Sequence, residues 1–258
     1  VTVLDTDYAD DMALLDNTKD GLQETTDLLC KYAAQAGLRI NAKKTEVMAI
    51  AKNTSQRPFT KEGTVDITVE GSPVQQVSDF TYLGVIISSD GTIDRELSAR
   101  IRKASGAFNQ LNNIWKNRNI QTNTKIRIYK AAVLTILLYG SEVWNTTKKQ
   151  HHRLEVFHQR CLRRILRIKW YHRTRNVDVL ERARINPIET FVGANRLRWF
   201  GHVSRMPEHR TPKYLLDWKP AHGKRSRGRP RRNWQKCVLE DAATFSGEAD
   251  IQLDKAKE

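Results

Sequence analysis

The stretch DTDYADDMALL, residues 5–15, holds four carboxylates, Asp5, Asp7, Asp10 and Asp11, within seven positions. Adjacent carboxylates repel, and a bridging cation offsets the cost of holding them together. Two magnesium ions about 3.5–4 Å apart, held by carboxylates and substrate phosphates, activate a 3′-hydroxyl and steady a leaving pyrophosphate. Such chemistry needs positioned carboxylates more than an elaborate acid–base set. The other reading of the same residues is an acidic turn exposed to water.

Positioning such a pair takes a stiff element. Val1–Thr6 and Met12–Leu15 are apolar runs on either side of Asp7-Tyr8-Ala9-Asp10-Asp11, which reads as a β-hairpin with acidic residues at its tip. Residues 19–36 carry apolar or small side chains at helical spacing, and Gly37 stands where a helix C-cap belongs. Extended pieces follow at 38–41, 47–50, 65–70 and 80–88, with a loop over 52–63. Beyond residue 92 the pattern becomes helical. Leu97, Ile101, Ala104, Phe108, Leu111 and Trp115 form one apolar stripe over 96–117. Thr122 or Asn123 caps a helix through Leu138, and Thr147 caps another through Ile168. Asn186-Pro187 opens a helix to about Arg205, and Pro230 starts a short one through Ala243.

Charge is divided as unevenly as structure. Residues 1–90 hold 8 Lys and Arg against 14 Asp and Glu, and residues 91–258 hold 36 against 15, within a total of +15. A basic half of this size points to a polyanionic partner. Anionic membrane is the rival, but no apolar run approaches the ~18 residues that a spanning helix needs. Cys30, Cys161 and Cys237 make no disulfide framework, and His158 with Cys161 lacks partners for zinc. A reducing intracellular compartment is therefore the expectation.

Tyr8-Ala9-Asp10-Asp11 between two apolar strands resembles the active-site hairpin of reverse transcriptases. Gly37-Leu38-Arg39-Ile40-Asn41 with Lys43-Lys44-Thr45-Glu46, and then Phe80-Thr81-Tyr82-Leu83-Gly84, resemble in order the later palm motifs of non-LTR (LINE-type) retrotransposon enzymes. Arg196-Leu197-Arg198-Trp199-Phe200-Gly201-His202-Val203 and Gly228-Arg229-Pro230-Arg231-Arg232-Asn233-Trp234 are similar to their C-terminal tail. The resemblance implies an α+β fold: a truncated antiparallel palm sheet with one helix, an all-helical thumb, and a basic, partly flexible C-terminal region. The corresponding divisions are a partial palm at 1–92, a thumb at 93–145, a basic helical domain at 146–218, and a basic arm with a short terminal helix at 219–258.

It further implies RNA-directed DNA synthesis with Mg²⁺ or Mn²⁺, an RNA template, a DNA primer or target, and dNTPs in the intact parent enzyme. Asp10 would bind the metal, with Asp11 its weaker neighbour. Tyr8 and Ala9 would lie against the primer end and template, Lys44 would protonate the departing pyrophosphate, and Leu83 and Gly84 would support the primer backbone. The family's other essential aspartate belongs to an upstream palm strand. This polypeptide alone is therefore expected to be inactive, a nucleic-acid-binding remnant or domesticated protein being the alternative. In the basic half, Arg163, Arg167 and Arg198 are candidate nucleic-acid contacts, as are Lys224, Arg225, Arg227, Arg229, Arg231 and Arg232 in the apolar-free arm. That arm also reads as a nuclear-localisation run, consistent with a nuclear protein that passes through a cytoplasmic ribonucleoprotein.

Overall fold

In the computed structural model, which describes residues 5–50, 65–217 and 233–247, the chain falls into two units, Val1–Glu96 and Leu97–Glu258. In the first unit, strands β1 (Asp5–Tyr8) and β2 (Asp11–Leu14) precede helix α1 (Lys19–Gln35). Thr18 caps α1, its hydroxyl accepting from the Gly21 amide at 3.1 Å. At the other end Gly37, at φ 73°, turns the chain so that Leu38 N donates to Ala33 O at 2.8 Å and Gly37 N to Ala34 O at 3.1 Å. That pair of bonds is a Schellman cap, which satisfies carbonyls the helix end leaves open.

Six short strands follow: β3 (Glu46–Val47), β4 (Thr68–Val69), β5 (Ser72–Pro73), β6 (Gln75–Gln76), β7 (Asp79–Tyr82) and β8 (Val85–Ser88). They do not form the single antiparallel sheet expected from the sequence. Among the described residues the strands make four separate pairs. β1–β2, β4–β5 and β7–β8 are antiparallel, and β3–β6 is parallel. Two-residue turns close the three antiparallel pairs, so their pairing is local. Pro73 offers β5 no N–H for extending a ladder. The expected strand at 80–88 is likewise two strands, β7 and β8, around Leu83-Gly84. The apolar core of this unit lies under α1: Val47, Val65, Ile67, Val69 and Val74 are buried, with Leu22, Cys30 and Ile40 against them. The Gln23 side chain reaches from α1 to both backbone groups of Thr68, each at 2.9 Å, and so ties β4 to the helix.

The second unit is helical. α2 (Asp94–Gln110), which starts at the end of the first unit, and α3 (Asn112–Lys116) carry the expected stripe, with Leu97, Ala104, Phe108 and Trp115 buried. The stripe is divided between two helices rather than one. The Trp115 indole donates to Phe108 O at 2.7 Å and stacks on the Phe108 ring at 5.0 Å, which closes the second helix back on the first. α4 (Thr122–Tyr129) passes through a wide π turn at Lys130–Leu134 into α5 (Thr135–Leu137), and Gly140 at φ 74° ends the run. Gln121, not Thr122 or Asn123, precedes α4, with no side-chain capping bond.

α6 (Lys148–Ile165) opens on the expected Thr147, as a reciprocal capping box with Gln150. α7 (Asn176–Ala183) and α9 (Thr211–Asp217) were not anticipated. α8 (Ile188–Ser204) begins one residue later than the sequence suggests, because Pro187 itself occupies the N-cap. Its first amide, Ile188 N, is satisfied at 3.0 Å by Glu155 of α6. α10 (Trp234–Ser246) is capped by Asn233, which accepts from the Lys236 amide at 2.8 Å. Fully buried Leu137, Leu154, Leu162, Val179, Ile188 and Val192 make this unit's core. Burying each contributes about 1.5–3 kcal/mol.

Candidate active site

Asp10 and Asp11 come from the tightest link a hairpin allows. β1 pairs with β2 in the register Tyr8↔Asp11, so only Ala9 and Asp10 form the turn. Ala9 has φ 56°, and Asp10 is not among the positive-φ residues, as in a type II′ turn. Gly is the ordinary residue at the first turn position. Alanine there costs about 1–2 kcal/mol, and such strain concentrates at functional sites. The turn holds Asp10 in the loop and Asp11 at the first position of β2, both carboxylates exposed. Two adjacent carboxylates suit a magnesium ion whose remaining positions stay with water and substrate phosphate. Among the described residues no cluster of three or more His, Cys, Asp or Glu side chains could enclose a metal.

The second hairpin repeats the device. Tyr82 pairs with Val85, leaving Leu83 and Gly84 as the turn, at φ 49° and 79°. Positive φ at both positions is the type I′ geometry, and Gly84 supplies it without strain. A bond that the sequence reading passed over connects the two hairpins. The Tyr82 hydroxyl donates to Thr6 O at 3.1 Å, so the strand leading to one turn is fastened to the strand leading to the other. β8 is held in turn by α2, where buried Glu96 accepts from Ile86 N at 2.8 Å. Tyr8 is exposed, and so is Lys44, in the turn that Asn41 braces before β3.

Residues 6–87, which contain both hairpins, match the family described as reverse transcriptase (RNA-dependent DNA polymerase). The chain is 30% identical over 190 residues to the RNA-directed DNA polymerase from the mobile element jockey of Drosophila melanogaster. These residues are a reverse transcriptase region. Its homologues are non-LTR retrotransposon polymerases, the probable RNA-directed DNA polymerase from transposon BS among them, at 28% identity over 188 residues. The chain spans about a fifth of the length of these polymerases, 19% for jockey and 20% for BS. A transposon-derived protein of Caenorhabditis elegans is 26% identical over 250 residues, which is 95% of this chain and 87% of that protein. Residues 107–139 match a family described only as a domain of unknown function. The acidic tip and the Leu83-Gly84 turn thus both fall within the reverse transcriptase region.

Outside that region the structure separates the basic candidates by what they touch. Arg163 donates to Thr174 O at 2.9 Å and Asn176 Oδ1 at 2.8 Å, fastening α6 to the start of α7. Arg167 donates to Lys116 O at 2.7 Å, and buried Lys125 to Trp115 O at 3.1 Å, so both satisfy carbonyls at the C-terminus of α3. Arg198 is exposed and bonds Asn195 Oδ1 at 3.1 Å. Lys224, Arg225, Arg227, Arg229, Arg231 and Arg232 lie outside the described residues. The first tail motif has a structural member, Arg196. It is buried in a two-bond pair with Asp241 of α10, Nε–Oδ2 at 2.6 Å and Nη2–Oδ1 at 3.0 Å, and its Nη1 donates to Trp144 O at 3.0 Å. A Cβ at Gly193 would lie 3.0 Å from Asp241 Oδ1, so that glycine leaves the carboxylate its place. The second motif supplies Asn233, the cap of α10, and Trp234, whose indole donates to Glu142 O at 2.8 Å.

His158 and Cys161 are core groups. Asn186 O can only accept, so the His158 Nε2 at 3.2 Å carries the proton and Nδ1 accepts from the Tyr129 hydroxyl at 2.8 Å. Burial lowers the His158 pKa below its ordinary value, which keeps the ring neutral. Burial also pushes the Cys161 thiol up to about 12, so the sulfur stays protonated beside Tyr129.

Proposed function

We propose that this chain is the later part of the polymerase core of a non-LTR retrotransposon reverse transcriptase, followed by a nucleic-acid-binding helical region. The observation that carries the reading is the strained two-residue turn at Ala9-Asp10. It presents two carboxylates side by side and is bonded through Thr6 and Tyr82 to the Leu83-Gly84 hairpin. In this reading Asp10 and Asp11 hold the magnesium or manganese ion. When bound, that ion supplies charge stabilisation for nucleotidyl transfer from a dNTP to a DNA 3′-end on an RNA template. Tyr8 and Ala9 border the primer terminus and template. Leu83 and Gly84 let the primer backbone approach closely, and Lys44 is the proton donor to pyrophosphate. Residues 1–92 form the palm portion, 93–145 the thumb, and the remainder engages template RNA or target DNA.

Asp10 and Asp11 supply one adjacent carboxylate pair, and two-metal transfer calls for a further carboxylate, so the polypeptide of residues 1–258 by itself is expected to be inactive. The test is a chimera: residues 6–87 replace the aligned segment of the jockey polymerase, and primer extension on an RNA template is measured. Activity that Asp10→Asn and Asp11→Asn each abolish supports the reading. Activity indifferent to both substitutions overturns it. A second reading, a transposon-derived protein that binds nucleic acid without catalysis, is favoured by the C. elegans relative, 87% of whose length is matched by this chain.

A further inference from the structure

The β7–β8 hairpin meets one particular face of the β1–β2 hairpin. Opposed residues of an antiparallel pair share a face, and successive residues alternate between faces. Thr6, Tyr8, Asp11 and Ala13 therefore lie on one side of the β1–β2 ladder, and Asp5, Asp7, Met12 and Leu14 on the other. The Tyr82 hydroxyl donates to Thr6 O at 3.1 Å and accepts from the Thr6 hydroxyl at 3.4 Å. The phenol thus touches the side that carries Asp11. It does so one cross-strand pair behind Tyr8↔Asp11, about 7 Å along the strand. Tyr82 is also the last residue of β7, so Leu83 and Gly84 follow it directly.

The second hairpin is anchored elsewhere as well. Ser88 Oγ donates to Asp79 Oδ1 at 2.8 Å across its open end, and Arg95 pairs with Asp79. On the β8 side, buried Glu96 accepts from Ile86 N at 2.8 Å. Tyr82 provides the hold on the β7 side, at the end next to the turn. Its ring is half-buried beside that of Phe80, 6.4 Å away. A phenylalanine would fill the same space, so what the hydroxyl adds is position rather than burial.

We infer that Tyr82 is a positioning residue for nucleotidyl transfer. Through its hydroxyl it sets the gap between the carboxylate turn and the Leu83-Gly84 turn, and with it the alignment of the primer end on Asp10 and Asp11. It acts through β1 and does not itself meet substrate or metal. A misplacement of about 1 Å at a reacting centre costs up to about a hundredfold in rate, so one hydrogen bond at this point has leverage beyond its share in stability. The inference rests on the polymerase reading of the two hairpins and deepens it.

The experiment is Tyr82→Phe, which deletes one oxygen and keeps the ring, read in two ways. In the jockey chimera carrying residues 6–87, single-nucleotide extension is followed before the steady state. The burst rate and kcat are expected to fall by about tenfold, with the burst amplitude and the KM for dNTP unchanged. Thr6→Val keeps the accepting carbonyl and is expected to lower kcat less than Tyr82→Phe does. A residue that merely kept the fold would lower the amplitude instead, because fewer molecules would be active. In the chain of residues 1–258, Tyr82→Phe is expected to shift the Asp7 amide signal, which belongs to the same peptide unit as Thr6 O, and to speed amide exchange in β1 several-fold. A parental burst rate, a loss confined to amplitude, or unaltered amide signals over residues 6–11 overturns the inference. Extension that Asp10→Asn abolishes and Tyr82→Phe leaves intact sinks this inference alone, whereas extension indifferent to Asp10→Asn sinks the polymerase reading and this inference with it.

Discussion

Replacing Asp241 by Asn is the sharpest probe of how the helical unit is assembled. Arg196 is 1% exposed and Asp241 11%, and two of the guanidinium's three bonds end on this carboxylate. Asn keeps the shape and one oxygen acceptor but leaves a full positive charge buried against a neutral amide. Removing one partner of a buried pair costs about 3–5 kcal/mol. For a unit of this size each kcal/mol is about 2–4 °C in Tm, so a fall of about 10 °C is expected. The assay is thermal unfolding by circular dichroism, with Arg196→Met and the double variant Arg196→Met, Asp241→Leu alongside. The double variant is expected to recover most of the loss, because two apolar side chains of similar volume leave no charge stranded. A fall below about 2 °C for Asp241→Asn, or a double variant as unstable as the sum of the singles, refutes the reasoning.

Other outcomes follow from the same geometry. His158 is held below its ordinary pKa by burial, so the unfolded chain binds the proton more readily. Stability is then intact above about pH 6.5 and falls as pH drops through that value, by at most about 1.4 kcal/mol per unit; His158→Gln flattens this dependence in pH-resolved melts. Ala9→Gly relieves the positive φ at the hairpin turn and raises local stability by up to about 1 kcal/mol, read as slower amide exchange in β1 and β2. Deleting residues 223–232 removes six cations and lowers the log–log salt slope of RNA binding by up to about 4; an unchanged slope removes the arm from binding. The 258-residue chain shows no primer extension above an Asp10→Asn control.

The sequence disclosed what local rules control. The Gly37 cap and the Thr147 capping box depend on neighbours three or four residues apart and stand where their patterns place them, and the apolar stripe from Leu97 to Trp115 is helical as its spacing indicates, though broken into two helices at Leu111. What it concealed depends on tertiary partners. No pattern within α8 shows that Glu155 supplies its cap, or that Arg196 faces an aspartate 45 residues later rather than a phosphate. The two-stranded pairs escaped for a related reason: alternation marks a strand but does not name the strand it bonds. At the candidate site, Asp10 and Asp11 stand out through the resemblance of Tyr8-Ala9-Asp10-Asp11 to the reverse transcriptase hairpin, whereas the Thr6–Tyr82 bond spans 76 residues and has no sequence mark.

The central claim is that Asp10 and Asp11 grip a divalent cation, and paramagnetic broadening of backbone amide signals by Mn²⁺ tests it even when binding is weak. Broadening centred on residues 8–12, reversed by excess Mg²⁺ and abolished by Asp10→Asn with Asp11→Asn, is the predicted result. Broadening spread evenly over the acidic surface, or unchanged in the double variant, contradicts the account.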